Sequence, residues 1–129
     1  LISNPEIFFN EKKQSINFHF DMHHGHGNLK KAIEVMNDND REEFKNYVNT
    51  SYAFHPHIMF IAKPLTVDKW FTDLFTWLFR CEKIFGFENL QGYDTQRLYA
   101  YLAERYLSFW FKKYSKSTNW PWTLIDFIN

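Results

Sequence analysis

The sequence is short of several things at once. It has one cysteine, four glycines and four prolines in 129 residues, and fifteen Lys and Arg are matched by fifteen Asp and Glu. A single cysteine, Cys81, rules out an internal disulfide and fits a reducing, cytoplasmic setting. Zero formal charge leaves no global footprint for nucleic acid. No apolar run approaches the ~18 residues of a membrane span, and Asp73 interrupts the best stretch. There is no Gly-rich phosphate loop, no Gly-x-Ser-x-Gly motif, no internal repeat and no linker. The chain opens at Leu1 with neither methionine nor a basic-then-apolar signal pattern, as expected of a fragment of a longer protein.

What is abundant is aromatic: 15 Phe, 7 Tyr and 5 Trp. Rings stacking on sugars or bases are one reading. An aromatic core is the better one, because Asn, Lys, Ile and Phe are enriched together and share A/T-rich codons. The length suits one domain or domain fragment, 1–129, and suffices to bury roughly two thirds of the unfolded surface.

Periodicity gives a mainly α chain with one to three short strands. Residues 1–13 read as an extended lead-in and 14–24 as a helix. Asn28 is placed to cap a helix with Leu29, Ile33 and Met36 on one face, and Asp40 to cap the next, with Glu43 at the capping-box position and Phe44, Tyr47 and Val48 buried. Ile58 to Ala62, between two prolines, predicts a buried strand. A long helix from about Thr66 to Phe85 follows, with Val67, Trp70, Phe71, Leu74, Phe75, Leu78 and Cys81 on its apolar stripe and Gly86 ending it. Asp94 or Thr95 is placed to cap a second long helix, 95–114. Thr123 to Ile128 is read as a docked, extended tail.

Three segments carry a family resemblance: HFDMHHGHGNLKKAI at 19–33, IMFIAKPLTVDKWFTDLFTWLFRCE at 58–82 and DTQRLYAYLAERYLSFW at 94–110. With Met59-Phe60-Ile61, Trp77-Leu78-Phe79, Arg97, Glu104-Arg105 and Trp110 in order, the chain resembles the domain of unknown function found in bacterial capsular and exopolysaccharide glycosyltransferases. The resemblance implies the C-terminal, acceptor-side half of a GT-A-like α/β enzyme. Its activity would be transfer of a hexose from a nucleotide-sugar to a glycan. It also implies a Mn²⁺ or Mg²⁺ ion whose principal ligands lie outside this chain. The Asp38-Asn39-Asp40 run sits between two predicted helices, where capping explains it better than metal binding.

On that footing Arg97 and Glu104, seven apart on one predicted helix, share a face. Arg97 is expected to clamp the donor diphosphate, and Glu104 or Asp94 to take the acceptor proton. The plainer reading is a salt bridge from Glu104 to Arg97 or to a lysine of the other long helix. His19, Asp21, His23, His24 and His26 form the densest polar cluster. Solvated loop histidines are the plain reading and a metal loop, with His55 and His57, the sharper one. The narrower expectation is that His24 or His26 faces the donor diphosphate. Cys81 lies on the apolar stripe and is expected to be a buried, inert thiol. Trp110, Phe111, Lys112, Lys113, Lys116, Trp120 and Trp122 have the composition of a membrane-interface patch, which would give peripheral contact with the inner membrane. Against that, the aromatics fill a core and the lysines solvate a helix end. The reading from another class is a non-catalytic helical scaffold or binding domain.

Overall fold

The structure, a computed structural model, describes residues 1–3, 6–7, 14–55 and 57–121. Among these residues the architecture is mainly helical, as periodicity predicts: α1 (Ile16–His24), α2 (Asn28–Glu34), α3 (Arg41–Thr50), α4 (Pro64–Phe85), α5 (Tyr93–Gln96) and α6 (Leu98–Tyr114). The strands are two residues each. β1 (Ile2–Ser3) runs parallel to β4 (Asn119–Trp120) with Ile2 opposite Asn119, and β2 (Glu6–Ile7) runs antiparallel to β3 (Ala53–Phe54) with Glu6 opposite Phe54. That is four strands rather than one to three, none of them in a sheet wider than a pair.

α6 is the hub. Leu98, Leu102, Ala103, Tyr106, Leu107, Trp110 and Phe111 cover more than half of its circumference, and Arg105 and Ser108 are buried on the remaining side. α4 packs on it through Trp70 against Trp110 (5.4 Å between centroids) and Trp77 against Tyr106 (5.2 Å), and α3 through Phe44 against Phe109 (5.2 Å). The Trp77 indole N–H donates to the Ala32 carbonyl at 2.8 Å, tying α4 to α2. Much of the aromatic excess thus goes into the core, with Trp70, Trp77, Trp110 and Tyr106 all buried.

Several local expectations are corrected. The 58–62 run is not a buried strand. Ile58, Met59 and Ile61 are exposed; Phe60 makes one bridge, to Ile2 of β1, and Ile61 exchanges backbone hydrogen bonds with Leu1 (2.7 and 2.8 Å), so the run pairs at two positions without being buried. On α4 the buried face is Trp70, Leu74, Trp77 and Cys81. Phe71 and Phe75 are exposed and stack on each other at 5.8 Å, with Phe75 on Phe79 at 6.0 Å. Pro64, whose missing N–H costs nothing in a first turn, starts α4 two residues before Thr66. The second long helix is broken at Arg97 (φ −94°, ψ 22°), so neither Asp94 nor Thr95 caps α6. Gly27, at φ 79°, rather than Asn28, caps α2. The parts of the lead-in at 8–13 and the tail at 122–129 lie outside the described residues.

Asp40 precedes α3 but makes no side-chain cap. It is buried, and its carboxylate accepts from Tyr106 Oη (2.7 Å), Tyr114 Oη (2.6 Å) and Lys113 Nζ (2.8 Å). Burial alone would raise its pKa. The hydrogen bonds from Lys113, Tyr114 and Tyr106 outweigh that and hold the carboxyl below its usual value. The same contacts remove Lys113 from a membrane-interface patch, and Trp110 and Phe111 are core. No helix among the described residues is long and apolar enough to cross a membrane.

Candidate functional site

The turn joining α1 to α2 is what aims the histidines. Gly25 and Gly27 take positive φ, which L side chains rarely adopt, so the chain reverses within three residues. Asp21 Oδ1 accepts from the Gly27 N–H (3.0 Å), and Asn28 Nδ2 donates to the His24 carbonyl (3.0 Å). This pins the last turn of α1 against α6, where His24 stacks on Tyr101 with centroids 3.8 Å apart.

Between them lies a buried cation. Arg105 is 2% exposed, its guanidinium 4.3 Å above the Phe54 ring. Nη1 donates to Glu104 Oε2 at 3.3 Å, and Nη2 reaches His19 Nδ1 at 3.2 Å and His24 Nε2 at 3.4 Å. A guanidinium has no lone pair to offer, so the two histidine nitrogens facing it must be acceptors. His24 Nδ1, 3.0 Å from the Asp94 carbonyl, must then carry the proton, which fixes the tautomer. Burial, and after it the Arg105 charge, lowers His19 to about 3. For His24 burial again leads, partly opposed by the bond to Asp94, and the pKa falls to about 4. Both are neutral at physiological pH.

Arg105 is imperfectly answered. Its Nε is buried with no hydrogen-bond partner among the described residues, and burial lowers its pKa to about 10 despite Glu104. Arg41 Nε and Trp70 Nε1 are also unpaired, but Trp70 is neutral and Arg41 is part-exposed beside Asp38. Of the three, only Arg105 is a buried charge. Glu104 sits at the edge with its side chain 21% exposed. Burial raises its pKa, against the opposing charges of Arg105, His57 and Arg97. His57 itself holds φ 61°, an uncommon backbone conformation for a residue with a Cβ, and such strain gathers at functional sites. Arg97 is exposed in the break between α5 and α6, donating to Tyr93 Oη and lying 5.8 Å from the Tyr101 ring.

Residues 2–116 match the family described as a domain of unknown function, DUF4422. The chain belongs to that family. No curated protein and no solved structure matches it.

For this DUF4422 chain, the structure joins some of the candidate residues and separates others. Glu104, His24 and the Asp94 backbone meet around Arg105, with Arg97 beside them. The salt bridge expected between Glu104 and Arg97 does not form; Glu104 pairs with its neighbour Arg105. Both ring nitrogens of His24 have partners within the fold, Nδ1 at the Asp94 carbonyl and Nε2 at Arg105. His26 stands apart, its side chain 93% exposed and 3.5 Å from Asp21 Oδ2. Asp94 takes part through its carbonyl, not its carboxylate. Among the described residues no group of three or more His, Cys, Asp or Glu is placed to hold a metal ion. Cys81 is buried, and that burial pushes the thiol up to about 12, the inert state expected. Periodicity did not single out Arg105. The available signal was a charged pair, Glu104-Arg105, in the middle of a helix rich in apolar residues.

Proposed function

We propose that this chain is the acceptor-side, helix-rich part of a nucleotide-sugar-dependent glycosyltransferase of polysaccharide synthesis. The observation that supports it is Glu104, a half-buried carboxylate of raised pKa fixed by a buried arginine, about two helical turns from an exposed arginine. Glu104 takes the proton from an acceptor hydroxyl, the freed oxygen forms the new bond to the anomeric carbon, and the bond to the nucleoside diphosphate breaks. A raised pKa makes Glu104 a stronger base than an ordinary surface carboxylate. Arg97, whose fork suits phosphate, takes the charge of the leaving diphosphate. Glu104 is preferred to Asp94 as base because Asp94 is exposed.

Thermal-shift titration with UDP, GDP and their sugars, each with and without Mn²⁺, tests donor binding in this chain and in the longest natural chain that contains it. Stabilisation of the longer chain alone supports donor contacts outside these residues; no stabilisation of either removes the reading. A folded Glu104→Gln variant is expected to lose transfer by about 10²-fold or more, and retention of the full rate would exclude Glu104 as base.

The second reading, a scaffold or binding domain, is favoured by one observation: the exposed Phe71–Phe75–Phe79 ladder on α4. Aromatic side chains in a row on a helix face are typical of a protein contact.

A further inference from the structure

The lysines that close α6 and the turn after it divide into two kinds. Lys113 is held by Asp40 and Glu43. Lys112 and Lys116 make no ion pair among the described residues, and both line a cavity of about 870 Å³. Its floor is α6, at Ser108 and Phe111, and its wall is the end of α3 and the residues leading into β3. A second cavity of about 580 Å³ shares Phe111, Ser115, Lys116 and Ser117 with the first and adds Lys63. The two adjoin along these shared residues and are taken together as a trough. No described residue lining either is a carboxylate; Glu43 lines a third cavity, which shares Tyr47, Thr50, Ser51 and Lys112 with the first.

The trough's polar groups are sorted by what they can still do. His55 Nε2 lies 3.1 Å from Asn119 Oδ1, which can only accept, so Nε2 carries the proton and Nδ1 is the acceptor for the Ser108 hydroxyl at 2.8 Å. Ser108 Oγ also accepts from the His55 N–H at 2.7 Å, so the two residues are joined by a pair of hydrogen bonds at the floor of the trough. Thr50 and Ser115 donate their hydroxyl protons to the Asn46 and Phe111 carbonyls, which leaves their oxygens as acceptors facing the trough. The groups left to meet a ligand are hydroxyl acceptors and ammonium donors. The first suit the hydroxyls of a sugar, the second a carboxylate or phosphate.

We propose that this trough binds an anionic oligosaccharide, a glycan bearing carboxylate or phosphate groups, with Lys112, Lys116 and Lys63 along its charged side. Resting on the glycosyltransferase reading, the ligand is the acceptor: Ser108 follows Glu104 by four residues, one turn of α6, so a chain lying in the trough delivers its end to the proposed base. A nucleic acid fits less well, since the chain carries no excess positive charge.

The test is binding of this chain to hexasaccharides of polygalacturonate and of hyaluronate, with neutral maltohexaose as the reference, by calorimetry at low and high salt. The expected result is tighter binding of the uronic-acid chains by about tenfold or more, weakened by salt. A Lys112→Ala, Lys116→Ala double variant, checked for folding by circular dichroism, is expected to lose that preference, and Lys112→Arg, Lys116→Arg to keep it. Equal affinity for charged and neutral glycans, or an unchanged preference in the alanine variant, overturns the proposal. So does equally tight, lysine-dependent binding to phosphatidylglycerol vesicles or single-stranded DNA. If the uronic-acid chains bind through the lysines but no nucleotide-sugar is bound or turned over, the trough stands and the transferase reading falls. If transfer to an anionic acceptor is intact in the alanine variant, the transferase reading stands and the trough's role falls.

Discussion

Two buried charges sit on either side of α6, and they are treated in opposite ways. Asp40 is 1% exposed and its carboxylate accepts from two tyrosines and a lysine, so its charge is balanced and hydrogen-bonded. Arg105 is 2% exposed, shares one carboxylate at 3.3 Å, leans on two neutral histidines, and leaves Nε without a partner. A buried charge whose hydrogen-bonding capacity is filled holds elements together. One left partly unanswered beside a carboxylate of raised pKa is better explained by something it does. Under the proposed function, the contrast puts structure at the Asp40 end and chemistry at the Arg105 end.

The comparison breaks first at Asp40. Asp40→Ala strands Lys113, Tyr106 and Tyr114, and is expected to lose about 3–5 kcal/mol in urea unfolding; a loss near zero would show that the network holds nothing. Acid should come next and act in two steps. A histidine whose folded pKa is depressed supports the fold above its unfolded value and withdraws that support as pH falls through the folded one. The urea midpoint is therefore expected to drop as pH goes from 6.5 toward the values of about 4 for His24 and about 3 for His19. The Asp40 step follows only below its ordinary 3.8, because its pKa is lowered. A midpoint flat between neutrality and pH 4 would contradict the neutral-histidine geometry.

Arg105→Met removes the desolvated charge but also takes a donor from Glu104, His19 and His24, and is expected to lose about 1–3 kcal/mol, less than Asp40→Ala. Transfer activity is expected to fall at least about tenfold, as Glu104 loses its anchor. A variant that loses more stability than Asp40→Ala yet stays active would reverse the assignment. Smallest of all, Arg97→Ala is expected to leave the melting temperature unchanged while weakening UDP-sugar stabilisation of the full-length protein. Loss of melting temperature there would make Arg97 structural.

Helix existence was readable because it is local. The steps of three and four in 64–85 and 98–114 and the terminator at Gly86 describe α4 and α6 without any knowledge of partners. The assignment of Asp40 as a cap was not recoverable. An Asp before a helix ordinarily caps it, and the groups that draw this one inward come from Tyr106, Lys113 and Tyr114, more than sixty positions away. Arg105 was obscured by the burial of α6 on nearly every side: a two-faced reading leaves no special place for a charge in its middle. The 58–62 run failed for the converse reason. Apolar content signals a buried strand only when something covers it, and here the partner segment meets the run only at Leu1 and Ile2, leaving Ile58, Met59 and Ile61 exposed. His24 was found by composition, but that its two nitrogens face inward depends on the Gly25 and Gly27 turn, which composition does not describe.

The β1–β4 pair carries a consequence for the order of folding. Ile2 meets Asn119 in register, and the Ile2 N–H also donates to the Thr118 carbonyl at 3.1 Å. Joining these positions closes nearly the whole described sequence into one loop for two residues of ladder, a large entropy loss for a small gain. The α1–α3 segment, whose contacts are short in sequence, can form well before this pair is worth making. The contact of Asn119 with His55, a residue lining the trough, is thus set late, after α6 has already buried its rings. Slow refolding that restores far-UV helicity before His55 regains its slow-exchanging environment is the kinetic signature of that order.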